Sequence, residues 1–120
     1  MIQITPQTKI LLCIAAVDFR RGIDGLAQLC RTELASEPFS GAVFVFRNRR
    51  GTALKLLTYD GQGYWILHKR LSEGRFSWWP DNAGKAARSL AVHELQLLLW
   101  NGNPDKAATQ PFWRRINTAG

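Results

Sequence analysis

Three strand-like segments follow one another between residues 41 and 71 with almost nothing between them. This spacing restricts the fold more than any other feature of the chain. GAVFVFR (41–47) is separated from ALKLLTY (53–59) by the short tip at 48–51, and ALKLLTY from YWILHKRL (64–71) by DGQG (60–63). Branched and aromatic side chains favour pleated backbone, whereas Asn, Asp and Gly favour turns. A parallel crossover needs a dozen or more residues, so links this short make antiparallel neighbours. A further turn at SEG (72–74) leads to RFSWW (75–79), which is expected to form another strand, closed by Pro80.

The flanks of this meander supply the remaining elements. Residues 9–17 form an apolar run of a length that suits a buried strand. DFRRGIDGL follows as a turn. From Ile23 onward, Leu26, Ala27, Cys30 and Leu34 recur at helical spacing on one face, and Pro38 prevents the helix from running on. Residues 81–88 read as a loop and SLAVHELQLLLW (89–100) as a second helix facing the core through Leu95, Leu98 and Leu99, with Gly102 as its stop. The expected fold class is α+β: an antiparallel sheet of about five strands in β-α-β-β-β-β-α order, open to strong curling, with two helices packed on it. A chain of 120 residues, nearly half hydrophobic, suits one compact domain over 1–102, with 103–120 expected as a flexible C-terminal tail.

Cys13 and Cys30 are the only cysteines, and each lies inside an apolar pattern, so both are expected as buried free thiols of a reducing compartment. No apolar run approaches the ~20 residues of a membrane span. The segment 9–19 runs straight into Asp18 without a cleavage site, so a cytoplasmic location is expected.

The charge is lopsided. Sixteen Lys and Arg against nine Asp and Glu give +7 and a pI of about 10.1, the electrostatic footprint expected of a nucleic-acid partner. From Arg47 to Arg75 there are seven basic residues and two acidic ones, so 7 − 2 = +5 of the +7 lies on the meander. Arg47, Arg49 and Arg50 occupy one hairpin end, where side chains splay into solvent. Alternate turns of a meander lie at the same end, which brings the 69–75 turn beside that tip. Guanidinium groups grip phosphates with paired hydrogen bonds. The candidate phosphate contacts are Arg20, Arg21, Arg47, Arg49, Arg50, Lys55, Lys69, Arg70 and Arg75. An ordinary solvated face, an acidic protein or an anionic surface would carry the same charge. Trp78 and Trp79 lie among these cations. As neighbours in a strand they would point to opposite faces, leaving the outer one to stack on an unpaired base or a partner.

Catalysis has weaker support. No serine or cysteine nucleophile motif is present, and His68 and His93 have no ligand partner at i+3 or i+4. Asp18, Asp60 and Glu73 lie at predicted strand ends, the arrangement a metal-dependent nuclease would need, but their spacing shows no convergence. No metal and no cofactor is expected, and the site is read as non-catalytic.

DFRRGIDGL (18–26), PFSGAVFVFRNRRG (38–51), Lys55, Asp60, Gly61 and Gly63, and HKRLSEGRFSWWP (68–80) stand in an order that resembles the TnpB-type accessory proteins of the bacterial insertion-sequence-66 group. The resemblance covers about residues 8–100. It implies a small protein encoded beside a separate, larger transposase, needed for efficient transposition and without an established catalytic activity. It marks Asp18, Arg20, Gly22, Asp24, Arg47, Arg50, Lys55, Asp60, Lys69, Arg70 and Arg75 among its motif positions without giving each a role. DNA and the element's own transposase are the expected partners, with the protein on the nucleoid when bound to DNA. Docking on the transposase without touching DNA is the alternative.

Overall fold

A computed structural model describes residues 4–81 and 84–107. The first strand, β1 (Ile10–Cys13), is completely buried, and α1 (Ile23–Thr32) carries the chain over one face of the sheet to β2 (Val43–Arg47). β3 (Ala53–Tyr59) and β4 (Tyr64–Arg70) follow, then β5 (Ala87–Leu90), α2 (Val92–Leu99) and the single turn α3 (Pro104–Ala107). The sheet order is β4-β3-β2-β1-β5. The protein is therefore α+β, with five strands and two packed helices in the expected element order.

The short links join antiparallel neighbours. β2 and β3 pair antiparallel with Val45 opposite Leu56, and β3 and β4 with Leu56 opposite Leu67. The sheet as a whole is mixed, however, because β1 runs parallel to β2, with Leu11 opposite Phe44. The intervening 29 positions, which include α1, are the crossover that a parallel pair needs.

The fifth strand comes from a different segment. Residues 75–79 are not a strand, and 87–90, expected as loop and helix start, pair antiparallel with β1, Leu12 opposite Arg88. The physical reason lies in β1. A strand this deeply buried cannot leave one row of N–H and C=O groups unpaired, and that requirement outweighs the poor strand propensity of Ala-Arg-Ser. The aromatic segment has other backbone partners: Phe76 N–H donates to Gly51 O (2.8 Å) and Ser77 N–H to Asn101 Oδ1 (2.7 Å). Helix α2 consequently starts at Val92, where the Glu94 carboxylate folds back onto the Ala91 N–H (2.8 Å). It ends with Asn101 in the left-handed region (φ 62°), and Gly102 N–H donates to Leu97 O (2.7 Å).

Both faces of the sheet are covered. Ile10, Leu12, Val43, Val45, Leu54 and Leu56 pack with Leu95 and Leu98 of α2 and with Trp78. Leu11, Cys13, Phe44, Phe46 and Leu57 pack with Leu26, Ala27 and Cys30 of α1. Double coverage explains why β1 and β2 read as unbroken apolar runs with no alternation. In the segment 103–120, Pro104 is buried and Asp105 accepts from Trp78 Nε1–H (3.0 Å). The rest of the expected tail, from 108, lies outside the described residues.

Candidate nucleic-acid interface

The arginine tip is built around Asn48. Its Oδ1 accepts from Thr52 N–H (2.9 Å) and Ala53 N–H (3.1 Å), and its Nδ2–H donates to Thr52 Oγ1 (2.9 Å). Gly51, at φ 69°, lets the chain reverse where a Cβ would be strained. The side chains of Arg49 and Arg50 are exposed and form no ion pair with any described residue.

The 71–76 segment is fastened beside this tip. Leu71 N–H donates to Thr52 O (2.9 Å) and Phe76 N–H to Gly51 O (2.8 Å). Arg70 and Arg75 are exposed and, among the described residues, likewise have no carboxylate partner. Four unpaired guanidinium groups, on Arg49, Arg50, Arg70 and Arg75, are thus borne by two segments hydrogen-bonded to each other. Glu73 is the one acidic residue of that second turn.

Four of the other five predicted contacts, all but Arg21, are already engaged within the fold. Arg20 clasps Asp18 at 2.6 Å and holds its carboxyl down at about 2, with a raised guanidinium pKa as the counterpart. Lys55 Nζ–H donates to Phe19 O (2.9 Å) and Arg21 O (3.3 Å) and lies 4.9 Å from the Phe19 ring centre, so it ties β3 to the 18–22 loop. Lys69 donates to Leu99 O at the C-terminus of α2, where the helix dipole favours a cation, and sits over Trp100. Arg47 is half-buried under Trp79, 5.3 Å from its ring centre, and its Nε meets no acceptor among the described residues.

Neither Trp78 nor Trp79 sits in a strand, and both pack on the α2 face of the sheet. Trp78 is 7% exposed with Arg88 over its ring, and Trp79 donates its indole N–H to Ile14 O (2.8 Å). Among the described residues the tryptophans that do face solvent are Trp100, 85% exposed, and Trp65 on β4.

A crevice of about 640 Å³ opens at the carboxyl end of β1, between α1 and the segment before β5. Arg21, Arg49 and Lys85 rim it with Asp18 and Glu33, over a floor that includes Cys13 and Leu29. Lys85 escaped the sequence reading because only the β5–β1 pairing brings residues 84–86 beside the arginine tip. Asn48 was legible as a turn residue but not as the tip's scaffold.

The three acids considered for metal chemistry are dispersed. Asp18 is held by Arg20. Asp60 accepts from Gln62 and Gly63 N–H and from Trp65 Nε1–H (2.7 Å), contacts that lower its pKa to about 2. Among the described residues no three His, Cys, Asp or Glu side chains are placed to share a metal ion. Among them, too, no helix is long and apolar enough to cross a membrane.

Residues 8–108 match the family described as IS66 Orf2 like protein. The chain belongs to that family. It is 35% identical over 111 residues to "Uncharacterized protein y4jC" of Sinorhizobium fredii (strain NBRC 101917 / NGR234), covering 92% of this chain and 93% of that protein. It is also 35% identical over 106 residues to "Uncharacterized protein y4hO" of the same strain, covering 88% and 89%. No solved structure matches significantly. This IS66 Orf2-like protein is thus a transposition-associated accessory protein, of a family not known for catalysis.

Proposed function

We propose that this protein serves transposition of its element by gripping the DNA phosphate backbone with one end of its sheet. The observation that carries the reading is the arginine tip fastened to the end of β4 and the turn after it, which together bear Arg49, Arg50, Arg70 and Arg75, whose guanidinium groups form no ion pair among the described residues. Arg21 and Lys85, on the rim of the adjoining crevice, extend the basic surface. Such contacts are indifferent to sequence, because phosphate contacts position a protein and base contacts specify. They would also place the protein on the nucleoid.

The test is a DNA-binding titration across salt concentrations. Four phosphate contacts correspond to a slope of log K against log salt of about −3.6, from about −0.9 per contact on duplex DNA. The double variant Arg49→Ala/Arg50→Ala, confirmed as folded, should flatten that slope by about 2. If the folded wild type fails to bind at low salt, the proposal falls, and the basic end becomes a docking face for an acidic surface of the element's transposase. An unchanged slope in the folded variant would remove the tip from the interface.

A further inference from the structure

We infer that β4 is a self-pairing edge, through which two copies of this chain join their sheets across a two-fold axis. This goes beyond the DNA grip and does not depend on it.

β4 is at one end of the sheet, and among the described residues its only strand neighbour is β3. Its register runs unbroken from Ala53 opposite Arg70 to Tyr59 opposite Tyr64, so no bulge interrupts it, and the strand contains no proline. The usual edge protections, namely shortness, Pro, bulges and outward Lys, are largely missing. Lys69 is turned away onto Leu99 O of α2. The opposite edge, β5, is only four residues long, whereas β4 has seven.

The ladder shows which backbone groups are free. Leu71 N–H bonds to Thr52 O, and at the other end Asp60 N–H bonds to Gly63 O. In an antiparallel ladder the hydrogen-bonded residues recur every second position. Residues 63, 65, 67, 69 and 71 therefore turn their backbone groups toward β3. Tyr64, Ile66, His68 and Arg70 turn theirs outward, into the free edge.

The register follows from these outward groups. An antiparallel copy centred on Leu67 places Tyr64 opposite Arg70 and Ile66 opposite His68. All four outward residues then fall in hydrogen-bonded pairs. Leu67 meets its own copy in a non-hydrogen-bonded pair, where side chains come closest. Trp65 comes opposite Lys69. Tyr64 at the start of one strand thus meets Arg70 at the end of the other, so the strand is complementary to itself, as an isologous interface requires. Trp65 and Leu67 are 44% and 47% exposed in the single chain, and this pairing would cover them. A second copy is the partner that this register selects.

The experiment uses the full chain. Sedimentation equilibrium and light scattering should show a dimer at tens of micromolar. Leu67→Lys sets like charges opposite each other at the axis and should weaken the dimer at least about tenfold, while the circular dichroism spectrum is unchanged and thermal unfolding stays cooperative. Leu67→Cys should form an intermolecular disulfide under mild oxidation, because the paired Cα atoms would be about 4.5 Å apart. Trp65→Cys alone should not, since its copy would lie four residues away along the strand. A wild type that remains monomeric overturns the inference. So does a dimer that survives Leu67→Lys, or one that cross-links through Trp65→Cys instead of Leu67→Cys. Self-pairing is read from the mass of the chain without DNA, and Arg49, Arg50 and Arg75 lie outside the seam, so failure of DNA binding and failure of self-pairing are read separately.

Discussion

Replacing Asn48 with alanine tests whether the arginine tip is a built structure or a loose loop. The substitution removes three side-chain hydrogen bonds, to Thr52 N–H, Ala53 N–H and Thr52 Oγ1, at 2.9, 3.1 and 2.9 Å. A hydrogen bond contributes a net ~1 kcal/mol, and a buried donor left without a partner costs more. Ala53 is only 3% exposed, so its orphaned N–H has little access to water. The Asn48 N–H bond to Ala53 O and the Gly51 N–H bond to Asn48 O are backbone contacts and persist. The expected loss is about 2–3 kcal/mol, a substantial part of the 5–15 kcal/mol typical of a domain. Urea unfolding followed by tryptophan fluorescence measures it as a shift in midpoint at constant m. Asn48→Asp keeps the acceptor and forfeits only the Nδ2 donor, so it should cost about 1 kcal/mol. If Asn48→Ala lies within about 0.5 kcal/mol of wild type, or if the aspartate costs as much as the alanine, the view of this side chain as the scaffold of the tip is wrong.

Three further outcomes are expected. Lys55→Met should lower stability by about 1–2 kcal/mol through loss of its bonds to Phe19 O and Arg21 O, yet leave the salt slope of DNA binding unaltered; a flatter slope would return Lys55 to the phosphate contacts. Native Cys13 and Cys30 should resist a thiol reagent at mild alkaline pH and react only on unfolding, because burial raises both thiols, Cys30 to about 12; rapid native labelling would contradict that burial. Asp60 should titrate near 2 in an NMR experiment, moving with the Trp65 indole N–H. Its pKa is depressed on folding, so its contribution is fully present above the ordinary carboxylate range and is lost as pH falls toward 2; a midpoint near 3.8 would contradict the capped-turn geometry.

The antiparallel meander was legible because it follows from local chemistry. Turn residues at 48–51 and 60–63 between β-favouring runs leave the chain no room to connect in any other way, and the same rule placed the 69–75 turn beside the arginine tip. Family membership was legible too, since DFRRGIDGL, PFSGAVFVFRNRRG and HKRLSEGRFSWWP follow one another in a distinctive order. Burial of the two cysteines could be read from the apolar patterns around them.

What the sequence alone could not decide were contacts between residues far apart in the chain. Ala87–Leu90 has little strand propensity of its own; it becomes a strand because β1, buried on both faces, needs a second ladder. RFSWW has the propensity and is not a strand, because Asn101 and Gly51 take its backbone groups and Trp78 enters the core. The basic residues illustrate the same distinction. Composition established that the chain is cationic, but only the tertiary structure separated Arg49, Arg50, Arg70 and Arg75, which face solvent without an ion pair among the described residues, from Arg47, Lys55 and Lys69, which contact distant segments of the fold, and from Arg20, which is held by its neighbour Asp18. Propensity acts between neighbours in sequence. Pairing of buried polar groups acts between neighbours in space, and it has the larger energy wherever water is excluded.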